Sequence, residues 1–287
     1  TDGEITKQTD NERFQYFGNM VLHQGGELGY HGYNHQPLCL GDTDYGDVLP
    51  YKTWKNEKAM ESAMSELMRF GKKMFPGTQM SVYVPPSNVL SEQGRKMLAQ
   101  KFPQIKTIAS NYFAGECAYT QEFEVADDGI VEQPRIISGA ILDDYMQMAA
   151  VSELNMHFVN SHFMHPDDLL DEDRGAKLGW EKLKNRLEEY MDWLYDSAPE
   201  LRNLTGSELS GAIERYGALT YEKNVTDKSV ELKLNHFYDA FNSALEPVSQ
   251  KAMAERMDSR QAENNALMQE IKELLDERLG ERLGYQM

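Results

Sequence analysis

The sequence has little cysteine, no long apolar run and too few bases for its acids, and each shortage excludes something. Two cysteines, Cys39 and Cys117, can pair or stay free, but they cannot build a disulfide scaffold or fix the redox compartment. No apolar stretch approaches the roughly 18 residues that a membrane-spanning helix needs. Only 29 Lys and Arg stand against 47 Asp and Glu, a net charge of -18. That field argues against a nucleic-acid backbone or an anionic membrane as partner and suits a neutral or cationic substrate, such as an amino-sugar polymer. The chain opens at Thr1 without an initiator Met or a signal peptide. The expectation is either a removed leader or a piece of a longer protein.

What is present is enough for a large core: 287 residues, 40% of them apolar. Phe14, Phe17, Val21 and Leu22 share one face of a predicted helix over 10–24, which Gly25-Gly26 ends. Glu27–Tyr30 reads as a short strand, and Asp42, Asp44 and Asp47 fall in a loop over 39–52. The spacing of Met60, Met64, Leu67, Met68, Gly71 and Met74 predicts a helix over 53–75, stopped by Pro76-Gly77. A strand over 80–84, a helix over 91–101 and a strand over 105–109 follow. Residues 117–137 read as an antiparallel excursion turning at Asp127-Asp128-Gly129. A helix over 142–154, a strand over 156–163 and a helix around 178–194 complete the alternation. It predicts a mainly parallel α/β sheet or barrel, with chemistry in loops at the carboxyl ends of the strands.

Beyond Pro199 the pattern changes. Thr205-Gly206-Ser207-Glu208 is a capping box, and a hairpin follows with Val230, Leu232 and Leu234 alternating. Residues 246–287 read as one amphipathic helix suited to packing or self-association. Three regions result: 1–200, 201–245 and 246–287.

The loops after the three best strands, beginning near 31, 85 and 162, carry the chemistry. His31 and His35 stand four apart after a strand, and one helical turn there would place both imidazoles on the same side to grip a metal ion. On their own they read equally well as surface residues of a glycine-rich loop. Pro85-Pro86-Ser87-Asn88 ends a strand, where rigid prolines can shape a groove wall and Ser87 or Asn88 can bond sugar hydroxyls. His157, His162 and His165 crowd one strand and its exit; His157 lies near its start, where a structural role suits it. His162 and His165 near the exit can pass a proton or bind metal, and a carboxylate of the acidic run 167–173 could orient His165.

The order of these motifs resembles the NodB-like polysaccharide deacetylases, carbohydrate esterase family four, over roughly residues 10–200. Gly26-Glu27-Leu28-Gly29-Tyr30-His31-Gly32-Tyr33-Asn34-His35 is similar to their second motif, Pro85-Pro86 to the third, and Asn160-Ser161-His162 to the fifth. Runs like His31–Leu38, Tyr83–Ser91 and Ser161–Gly175 are more similar still to an uncharacterised bacterial branch of that superfamily. The resemblance implies a distorted (β/α) barrel and one divalent metal, often zinc, held by His31, His35 and an Asp. It further implies His162 or His165 as general acid, and a groove at Tyr83, Pro86, Ser87 and Asn88 for an N-acetylated polysaccharide. An extracellular or cell-envelope setting goes with it. Two departures stand out. No strand ending in Asp-Asp precedes His31, so the opening strands lie upstream or the metal site is incomplete. Val84 occupies the place of the family's base-orienting Arg, for which Arg135 or Arg174 could substitute. The rival expectation is a catalytically silent carbohydrate-binding or assembly module; a metallohydrolase acting on another ester or amide is a third.

Overall fold

The structure, a computed structural model, describes residues 11–40, 53–109, 122–139, 143–172 and 174–236, apart from the side chains at 166 and 169. Asp42, Asp44, Asp47, Cys117 and the helix expected over 246–287 lie outside the described residues. The chain divides into two units at His236/Phe237, and only the first contains described residues.

Six helices and short strands make a mixed α/β architecture among the described residues. Helix α1 (Asn11–His23) is followed by Tyr30, which pairs parallel with Tyr83 as an isolated bridge. Helix α2 (Glu57–Met74) starts where the Asn56 side chain accepts from the Ala59 N–H at 2.9 Å. Strand β1 (Val82–Tyr83), helix α3 (Glu92–Lys101) and strand β2 (Thr107–Ile108) form a parallel unit, with Val82 opposite Thr107. Strand β3 (Val131–Glu132) extends that sheet in parallel. It comes from the run read as an antiparallel excursion. The turn at Gly129 is there, and Val125 bridges Val131 antiparallel, yet Val131 also faces Thr107 in the main sheet. Strand β4 (Ile137–Ser138), helix α4 (Asp144–His157) and parallel strand β5 (His162–Phe163) form the next unit. Helices α5 (Trp180–Ser197) and α6 (Gly206–Gly217) and the antiparallel hairpin β6–β7 (Thr220–Val225, Val230–Asn235) follow. Among the described residues these sheets stay open, and no closed barrel is formed.

Two apolar clusters hold the helices down. Met60, Met64, Met68, Met97 and Leu98 from α2 and α3 pack on Tyr30, Tyr83 and Ile108. Full burial of each such side chain is worth about 1.5–3 kcal/mol. The second cluster joins Ile137, Ala150, Tyr190 and Leu194 across β4, α4 and α5. Helix α4 runs to His157, into the run expected to be a strand, and ends at Phe158 in a left-handed conformation with φ 60°. No glycine announces that stop. His157 is therefore a helix-terminal residue, its Nε2 at 2.9 Å from Glu122.

Helix α6 covers the other side of the first sheet. Both arms of its Thr205–Glu208 capping box are made. Ser210 meets the Thr107 hydroxyl at 2.5 Å and accepts from Gln133 at 2.8 Å, and Ser207 donates to Glu27 from its backbone at 2.9 Å. Small side chains let this helix sit close, since Gly206 lies against Val82.

Candidate active site at the strand exits

Four chain segments that follow strands of the two parallel sheets meet: 31–35 after Tyr30, 84–88 after β1, 133–136 after β3 and 164–168 after β5. The first two are locked together. Tyr30 donates its N–H to the Val82 carbonyl, and Val84 returns a bond to Tyr30, each at 2.8 Å. Gly32, at φ 73°, passes so close to Pro86 that a Cβ there would lie 2.4 Å from the proline ring. Each loop then makes a tight turn through consecutive left-handed residues, Asn34 and His35 in one, Ser87 and Asn88 in the other, with φ between 52° and 58°. Non-glycine residues in that region store strain of order 1 kcal/mol each, a feature that concentrates at functional sites.

The His31 and His35 rings face each other edge to face, centroids 4.7 Å apart. His31 Nδ1–H donates to the Val84 carbonyl at 2.8 Å, which leaves Nε2 as the lone-pair nitrogen. Burial lowers the His31 pKa against the Val84 hydrogen bond, which raises it, and the charges of His35, Arg135 and His165 add to the lowering. A neutral imidazole fixed by a backbone carbonyl is the form a metal ligand needs. Among the described residues no third His, Cys, Asp or Glu joins the pair.

Arg135 and His165 face this mouth. The Arg135 guanidinium lies 4.5 Å over the Phe163 ring, and its Nη2 donates to Asn88 Oδ1 at 2.6 Å. His165 stands edge-on to the same ring at 5.5 Å and is half exposed. Its Nδ1 lies 3.9 Å from the buried Asp168 carboxylate, which Arg174 holds at 2.9 Å. Arg174 also reaches Asp167 and Asp171, so its charge is spent inside the acidic loop.

Over residues 3–247 the chain matches a family described as an uncharacterised protein conserved in bacteria, DUF2194. The chain belongs to that family. No curated protein matches it.

Of the remaining expected residues of this DUF2194 chain, Pro86, Ser87 and Asn88 lie at the mouth, whereas Tyr83 and His162 sit elsewhere. Tyr83, expected in the groove, is wholly enclosed in the core between the sheet and α2. Pro86 is buried against Gly32, while Ser87 and Asn88 are partly exposed. His162 points away from Phe163, as alternation along a strand requires. Its Nε2–H donates to the Gly139 carbonyl at 2.7 Å and its ring meets Tyr190 at 5.4 Å. There it lines a cavity of about 650 Å³ together with Asn160, Tyr195 and Tyr216. Burial lowers the His162 pKa, with the Gly139 hydrogen bond opposing.

Sequence reasoning missed Phe163 as the platform of the mouth; it expected a carboxylate of 167–173 behind His165, and Asp168 is the one there. It also missed Glu153, only 3% exposed on α4, whose pKa burial raises to about 8 against a Ser161 backbone hydrogen bond. The signals existed. Period two separates Phe163 from His162, and the inward spacing Met146, Ala150, Glu153 puts the carboxyl in the core.

Proposed function

We propose that the chain is a metal-dependent hydrolase that removes N-acetyl groups from a polysaccharide, with the strand-exit mouth as its active site. The observation that carries the reading is His31: a ring oriented by the Val84 carbonyl, beside His35 at 4.7 Å between centroids. His31 and His35 would hold one divalent ion, zinc by preference, with the third ligand outside the described residues. When bound, that ion supplies Lewis-acid polarisation of an acyl carbonyl. His165, solvent-accessible at the same mouth and backed by Asp168, is placed to donate a proton to the departing amine. Ser87 and Asn88 offer polar groups to sugar hydroxyls. On this reading the parallel units belong to a distorted (β/α) barrel, and the protein works outside the cell or in the envelope. Binding or self-association is left to 246–287.

The test is metal content and acetate release on the whole chain. Purified protein should hold about one equivalent of zinc, and His31→Ala or His35→Ala should lose it. It should also release acetate from N-acetylated chito-oligosaccharide. The second reading, a catalytically silent carbohydrate-binding or assembly module, is favoured by the absence of a third ligand among the described residues. Saccharide binding without metal and without acetate would establish it and sink the hydrolase.

A further inference from the structure

Among the described residues Arg135 is a cation without a counter-ion: its partners there are neutral, the Asn88 amide oxygen at 2.6 Å and the Phe163 ring at 4.5 Å. Its Nε is shut off from solvent and unbonded. The half-enclosed guanidinium of Arg95 is paired, with Asp128 and Glu132, and even the exposed Arg174 takes Asp167, Asp168 and Asp171. Enclosing an unpaired charge is costly, and a chain carrying 47 acids has carboxylates to spare. At this mouth the described residues supply neutral supports that fix the guanidinium plane and leave its charge unanswered among them.

We propose that Arg135 binds a carboxylate of the substrate, so that the polymer taken by this mouth carries uronate residues beside its acetylated sugars. The assignment rests on the carbohydrate reading of the same site and deepens it. A planar, delocalised guanidinium matches a carboxylate better than an ammonium would. Asn88 directs its oxygen at Arg135, which turns its amide N–H₂ toward other partners, and a sugar acid offers acceptors for both. The body's charge of -18 opposes such a ligand at long range, so the contact must be local.

The experiment is calorimetric titration of the full chain at moderate salt, where the Debye length is about 8 Å. The probes are a hyaluronan tetrasaccharide, which alternates glucuronate with N-acetylglucosamine, its methyl ester, and the fully N-acetylated, uncharged chitotetraose. The acidic tetrasaccharide should bind about tenfold or more tighter than chitotetraose. The methyl ester, which alters only the ligand, should lose that preference. Arg135→Gln should bring the ratio near unity, and Arg135→Lys should restore only part of it. Equal binding of the acidic and neutral tetrasaccharides, a methyl ester as tight as the acid, or a preference retained in Arg135→Gln would each overturn the proposal. Zinc held by His31 and His35 with acetate release but no charge preference overturns this assignment alone. Failure to bind any of the three saccharides overturns it together with the carbohydrate reading.

Discussion

A carboxyl group sealed from water makes folding depend on pH. Glu153 lies 3% exposed beneath β5, and burial raises its pKa from 4.5 to about 8. Between those values the folded chain keeps a proton that the unfolded chain releases. Stability from this group is therefore complete below pH 4.5 and lost as pH rises toward 8. Glu153→Gln keeps the shape and removes the ionisation. Its expected effect is close to zero at pH 4.5 and a gain of roughly 2–4 kcal/mol at pH 8.5. Urea denaturation at the two pH values measures it, and a gain that is equal at both would refute the buried acid. His162 bends the curve the other way: its lowered pKa means that stability falls as pH drops below the ordinary histidine value. His162→Asn should flatten that acid-side loss, read in the same titration.

At the scale of elements, the mouth is held by α3. Ser91 caps that helix and donates its hydroxyl to the Leu38 carbonyl at 2.8 Å. Gly94 sits so close that a Cβ would fall 2.2 Å from the same oxygen. Leu38 ends the loop that carries His31 and His35, so Gly94→Ala pushes on the site through backbone. A loss of about 1–3 kcal/mol is expected, with weaker zinc retention, while Lys96→Ala on the exposed face should change stability by under about 0.5 kcal/mol. Zinc retention unaltered in a destabilised Gly94→Ala protein would break the link between helix and loop. The same helix carries Arg95, tied to buried Glu132 and to Asp128. Arg95→Met strands Glu132 and should cost about 3–5 kcal/mol, most of which Arg95→Met with Glu132→Leu recovers. These helices were readable in the sequence because Met60, Met64 and Met68 mark an inward stripe and Ser91 and Thr205 mark starts, although the cap at Asn56 lies three residues past the start expected at 53. The strands were less so. Two residues such as Val131-Glu132 contain no period, and what makes them a strand is pairing with Thr107, far away in sequence. Phe158 shows the same limit at a helix end, where tertiary fit took the place of a glycine. The site followed suit: His31 and His35 were legible as a local spacing, whereas the Arg135–Phe163–Asn88 arrangement exists only once three strand exits meet.

For the molecule as a whole, the decisive piece is α6, which composition alone set apart from the first 200 residues. Its serines carry a polar layer over the sheet, and that layer is long-range in sequence: Ser210 to Thr107 and Gln133, Ser207 to Ser81 and Glu27. Removing the helix would strip Thr107 and Gln133 of these hydrogen bonds and open them to water, a loss of about 0.5–1.5 kcal/mol for each bond. It would also uncover Val82. Such losses rival the net stability of an average domain, so the sheet and α6 should fold and unfold together. Limited proteolysis followed by mass measurement puts this to the test. The resistant fragment should retain Gly206–Gly217, with cleavage falling beyond it. A stable, cooperatively unfolding fragment ending near residue 200 would show that the parallel units stand alone and that α6 is an addition. The hydrolase reading predicts in turn that zinc stays with the α6-containing fragment, because the strands that aim His31 and Arg135 are the ones this helix braces from behind.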